Sequence, residues 1–166
     1  MPSAKLVDAV CKAVAGASRD GKAFELIDEV VDAYEVETQF FLEKEAENVS
    51  KLVGAVRELA GEGETIIKPL IDKIEQVVGN WKKVAYPIQL RKKAQGLEHM
   101  AGHDMANEIR SLAVELFNEH DLFFKAEWII RLLLYYFSES PALVEKLEQD
   151  ISAIQDIFHR NGQTVE

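Results

Sequence analysis

The residues from which metal or nucleophilic chemistry could start are few: four histidines and a single cysteine, Cys11. His99 and His103 stand four apart, a spacing that on a helix sets both imidazoles on one face, as a zinc or iron pair requires. Gly102 lies between them, however, and the segment His99 to His103 reads as a loop, so solvated loop histidines are the expectation. His120-Asp121 could add ligands from the next turn, but neither His-Glu-x-x-His nor a pair of Glu-x-x-His motifs occurs. Cys11 sits among Val10, Ala13 and Val14 on an apolar stripe, where burial raises a thiol's pKa and a small space-filling role is expected. The chain has no Gly-x-Ser-x-Gly, phosphate loop or dinucleotide fingerprint, and Gly61-x-Gly63 lacks both the third glycine and a preceding strand. No catalytic, cofactor-binding or metal-binding residue is therefore assigned, and the chain leans away from being an enzyme.

Charge is more informative. With Lys+Arg 19 against Asp+Glu 29, the net charge is -10, which argues against a general nucleic-acid binder. Residues 25–64 hold 12 acidic and 3 basic groups, whereas residues 76–97 hold five basic groups and no acid. Within that second stretch Trp81, Lys82, Lys83, Tyr86, Arg91, Lys92 and Lys93 combine cations with aromatic surface, a pattern suited to docking an acidic partner. The competing reading, given equal weight, is that these cations pair within the molecule against the acidic 25–64 segment, since such pairs are common and individually weak.

These residues are carried by a pattern that is helical throughout. Apolar positions recur every three to four residues, and no period-two alternation is present. Ser3 caps a first helix bearing Leu6, Val10 and Val14, which stops near Gly16. Ser18 to Gly21 reads as a turn. From about residue 22 to 60, Phe24, Ile27, Val31, Tyr34 and Phe41 keep a helical spacing. The phase then slips to Leu42, Ala46, Val49, Val53, Val56 and Ala60. This is either one helix of about 55 Å that changes partner near Thr38-Gln39, or two helices with a tight bend there. Thr65 caps a helix carrying Ile66, Leu70, Ile74 and Val77, which ends near Gly79-Asn80 or runs through Trp81. Pro87 starts or kinks a further segment ending at Gly96. Asp104 caps a helix with Met105, Ile109, Leu112 and Leu116, and Asn118 to Asp121 turns the chain. Phe123 to Phe137 is apolar on nearly every face, which suits the middle of a bundle. Its three charges within 15 residues make it a poor bilayer span. Ser140 and Pro141 open a last helix, which Asn161-Gly162 ends.

The fold expected is all-α: an antiparallel bundle of about six or seven helices in a single domain, 1–166, with a possible subdivision at 1–62 and 63–166. Leu112 to Pro141 loosely resembles a tetratricopeptide hairpin, with Ala126 at the small-residue position, Phe117 as the aromatic and Pro141 closing it. Asn80 to Leu90, Ile109 to Ala113 and Leu116 to Asp121 resemble a helical region, here about residues 80–158, of uncharacterised bacterial proteins that sometimes accompanies a chaperone J-domain. The J-domain's own His-Pro-Asp is absent; His120-Asp121 lacks the proline. The resemblance implies a bacterial origin and a link to protein quality control. The resulting expectation is a non-enzymatic module that binds a protein or peptide, in the cytoplasm, without membrane or nucleic acid. A homodimer through the 22–60 helix and a small-ligand-binding helical protein or enzyme are the alternatives.

Overall fold

The computed structural model describes residues 1–17 and 24–163. Among them are six α-helices and no strand: α1 (Ala4–Ala17), α2 (Phe24–Leu59), α3 (Glu64–Ala94), α4 (Met100–His120), α5 (Phe123–Tyr136) and α6 (Pro141–Gln163). A 3-10 turn, Ala60–Glu62, joins α2 to α3. The all-helical multi-helix bundle read from the periodicity is thus the observed fold. The turn expected over Ser18 to Gly21 lies outside the described residues.

Local chemistry sets most of the helix ends. Ser3 Oγ accepts from the Leu6 N–H at 3.2 Å, and Ser140 Oγ accepts from the Leu143 N–H at 3.4 Å with Pro141 as the first helical residue, each meeting one donor that a helix start leaves open. α3 begins from Gly63 rather than from the expected Thr65 cap. Gly63 has φ 105, a conformation open to residues without a Cβ. Asp121 ends α4 in the left-handed region at φ 54, and the Leu116 carbonyl accepts from the Leu122 N–H at 3.0 Å.

α2 is one continuous helix of 36 residues. Its inward positions run Ile27, Val31, Tyr34, Thr38, Leu42, Ala46, Val49, Val53 and Val56, and the stripe continues into Ala60 of the 3-10 turn. The alternation of three- and four-residue steps is interrupted by consecutive fours around Leu42, and each such interruption rotates the stripe around the helix. The first part packs with Val10 and Val14 of α1 and Val84 and Ile88 of α3. The second part packs against α3, where Ile67, Ile71 and Val78 share its cluster, and against α4. Leu42 borders both clusters. Thr38, fully buried, satisfies its hydroxyl by donating to the Tyr34 carbonyl at 2.8 Å.

Three expectations are corrected. Of the two readings of α3, the run through Trp81 is the one observed, and Pro87 does not start a new segment: the helix continues to Ala94 with Pro69 and Pro87 inside it. Burial of Val77, Val78, Trp81, Val84, Ala85 and Ile88 holds it continuous. The Tyr34 hydroxyl also donates to the Val84 carbonyl at 2.6 Å, tying α2 to this turn, where Pro87 leaves the neighbouring Lys83 carbonyl without its intrahelical donor. The segment His99 to His103 is not a loop: α4 starts at Met100, so His103 and Asp104 lie within it. Gly102 is there for close packing, since a Cβ at that position would stand 3.1 Å from the Trp81 ring and 2.9 Å from Gln89 Nε2. Finally, α3 occupies the middle of the bundle, packed on α1, α2 and α5. α5 keeps an outward face on which Phe124 is 67% and Tyr135 79% exposed.

Candidate interaction site

A groove of about 980 Å³ runs between α1, α3 and the C-terminal end of α5. Val7 of α1, Val84 of α3 and Tyr136 of α5 are among its apolar lining residues. Gly79 makes the close approach of α5 possible, because a Cβ there would meet the Tyr136 hydroxyl at 3.2 Å. Glu75, Lys83, Tyr86 and Tyr135 also line the groove, and the Tyr135 and Tyr136 rings meet edge to face at 4.9 Å. Cys11 lines it too; burial, then Asp8, raises its thiol pKa.

Lys82 ties one end of the groove together. Its ammonium donates to Gln89 Oε1 at 2.6 Å and to the Glu139 carboxylate. It also lies 5.3 Å from the Tyr86 ring centroid and 5.9 Å from that of Phe137. Burial lowers the Lys82 pKa, and the Glu139 hydrogen bond and charge oppose that shift. Beyond this clamp lies a second cavity of about 290 Å³, between the end of α3, the first turn of α4 and the α5–α6 connection; Glu139 lines both spaces.

The seven residues singled out from the sequence do not form one face. Trp81 is only 1% exposed and packs between His99, at 5.6 Å, and Phe137, at 6.0 Å, so it is a core residue and not a contact residue. Arg91 is buried and paired with Asp28 of α2, the internal pairing that was the competing expectation. Lys82 is held by Glu139, an acid outside the 25–64 segment. Lys83 and Tyr86 line the groove, Lys93 lines the smaller cavity, and Lys92 is half-buried. A helix passes through every direction in four residues, so a contiguous basic stretch is necessarily divided among its faces.

Sequence reasoning missed Glu75, Gly79, Tyr135, Tyr136 and Glu139. Two signals pointed to them: a glycine inside a continuous apolar stripe, and a pair of tyrosines closing an otherwise aliphatic helix. His99 and His103 both line the smaller cavity, yet among the described residues no three of His, Cys, Asp and Glu come together as a metal-holding group. No described helix is long and apolar enough to cross a membrane. No family model matches the chain, and no curated protein or solved structure is significantly similar to it.

Proposed function

We propose that this chain is a non-enzymatic interaction module that takes a segment of another protein into the groove between α1, α3 and α5. A bacterial cytoplasm and a link to chaperone systems, which the resemblance of residues 80–158 implies, belong to the same proposal. The observation that carries it is the groove itself, with an apolar floor and three tyrosines, two of them, Tyr86 and Tyr135, exposed. Tyrosines give large contact area at low conformational cost, which is why interfaces are rich in them. Charge supplies polarity: Glu75 and Lys83 are eight positions apart on α3 and both line the groove. That is ~12 Å at about 1.5 Å per residue, close to the reach of four extended residues. The partner segment that fits has apolar side chains between a basic residue at the Glu75 end and an acidic one at the Lys83 end.

Selection of a displayed random-peptide library on the full chain tests this. Enriched peptides should share that basic–apolar–acidic order, and binding should weaken about tenfold or more in Lys83→Glu and in Tyr135→Ala. Absence of any enriched order, or binding indifferent to both substitutions, would reject the groove.

A second reading, self-association, is favoured by the outer face of α2. Leu26, Val36 and Phe40 are 68%, 74% and 76% exposed there, with Val30 at 38%. Light scattering at micromolar concentration should then give a dimer that Phe40→Glu dissolves; a monomer throughout would dismiss it.

A further inference from the structure

We propose that the groove and the smaller cavity are two parts of one channel, and that the cavity takes a single large apolar side chain of the segment lying in the groove. This deepens the peptide-binding reading above and rests on it. The lining of α3 carries the inference. Gln76, Gly79, Lys83 and Tyr86 line the groove, and Gln89 and Lys93 line the cavity. Their spacing of three or four residues keeps all six on one side of a helix that is continuous through this stretch. The facing wall behaves alike: the end of α5 and its connection to α6 line first the groove and then the cavity, and Glu139 belongs to both. The Lys82–Glu139 pair stands between the two spaces.

That pair is a neutral sill. The Lys82 ammonium donates to Glu139 and to Gln89 Oε1, so a chain crossing it meets two charges that cancel. The same bonds decide what the cavity accepts. Gln89 Oε1 and Glu139 are engaged by Lys82, and Ser140 Oγ accepts from the Leu143 N–H. The deep walls that remain are Phe137 and Leu143, each 3% exposed, with Leu97 on the rim. Lys93 and Glu98, both exposed, bring one charge of each sign to that rim. An apolar side chain suits these walls, whereas a charged one would lose its water without gaining a partner. At about 290 Å³ the cavity stands at the foot of the range for small-molecule sites, which is room for one large side chain. Distance sets the register. Gln89 is six positions beyond Lys83, ~9 Å at about 1.5 Å per residue, the reach of about three extended residues. The anchor therefore lies about three positions past the acidic residue that meets Lys83, on the side away from the basic one.

The test takes a basic–apolar–acidic core peptide from the library selection and extends it past its acidic residue by about five randomised positions. Selection on the full chain should place Leu, Ile, Met or Phe about three positions past the acid. The extended peptide should bind about tenfold or more tightly than the core alone. Nuclear Overhauser contacts should join that side chain to the Leu143 methyl groups. Leu97→Asp, at an exposed position, sets a charge on the rim. It should bring the extended peptide to within about threefold of the core and leave the core's own affinity unchanged. A core that binds while extensions add nothing, a gain that survives Leu97→Asp, or an anchor without contacts to Leu143 would overturn the cavity's role and leave the groove standing. A core that does not bind at all would sink both.

Discussion

Replacing Lys82 with methionine removes a charge from the wall between the two cavities while keeping most of the side chain's length. The side chains of Lys82 and Glu139 are only 14% and 19% exposed. Lys82→Met therefore leaves a carboxylate with little water and strips Gln89 Oε1 of its donor. Breaking a fully buried pair by removing one partner costs about 3–5 kcal/mol; with this residual exposure the loss should be about 2–3 kcal/mol. Glu139→Leu should cost a similar amount, because it strands an ammonium already disfavoured by burial. The double variant removes both charges and leaves only Gln89 short of a partner, so it should lose about 1–2 kcal/mol in total. The two single losses would sum to about 4–6 kcal/mol, giving a coupling of roughly 2–5 kcal/mol. Urea denaturation of the four proteins, with slopes checked for two-state behaviour, measures it. Additive losses, or a Lys82→Met change below about 0.5 kcal/mol, would refute the assignment of this pair as an internal clamp.

Three other outcomes follow from the packing. Tyr34→Phe removes the hydroxyl that donates to the Val84 carbonyl at 2.6 Å and should cost about 1–2 kcal/mol in the same denaturation assay. An alkaline absorbance titration should lose the transition that burial pushes up to about 12. His99 has its folded pKa, about 4, below its ordinary value, so the unfolded chain binds the proton more readily. Its contribution is complete above pH 6.5 and declines as pH falls toward 4. After allowance for partial exposure this is a loss of about 1–2 kcal/mol, which His99→Phe should not show in a pH series. Leu112→Ala, at a fully buried position of the larger core, should cost about 2–5 kcal/mol by thermal or urea unfolding.

The fold was legible because helices bury stripes, and stripes are written in spacing. Even the slip in α2 was visible, since moving from the Tyr34 cluster to the Val49–Val56 cluster changes which residues recur. The misplaced boundaries share one cause. Gly79, Pro87 and Gly102 are punctuation by local rules, but tertiary packing overrides those rules when a glycine admits a neighbour's ring or a buried flank holds a proline in place. The interaction surface was half legible. Lys83 and Tyr86 belong to a conspicuous basic-aromatic stretch, but only the fold turns Trp81 and Arg91 inward and brings Tyr135 and Tyr136 from α5 beside Glu75. Spacing along one helix carries no information about which distant helix will supply the opposite wall.

The most direct test of the groove is photo-crosslinking of a library-selected peptide to full-length protein carrying a benzophenone amino acid at position 135 or position 40. An adduct should form from position 135, beside the groove, and disappear when Lys83→Glu is added, with none from position 40 on the outer face of α2. An adduct from position 40, or one from position 135 that persists with Lys83→Glu, would contradict binding between α1, α3 and α5.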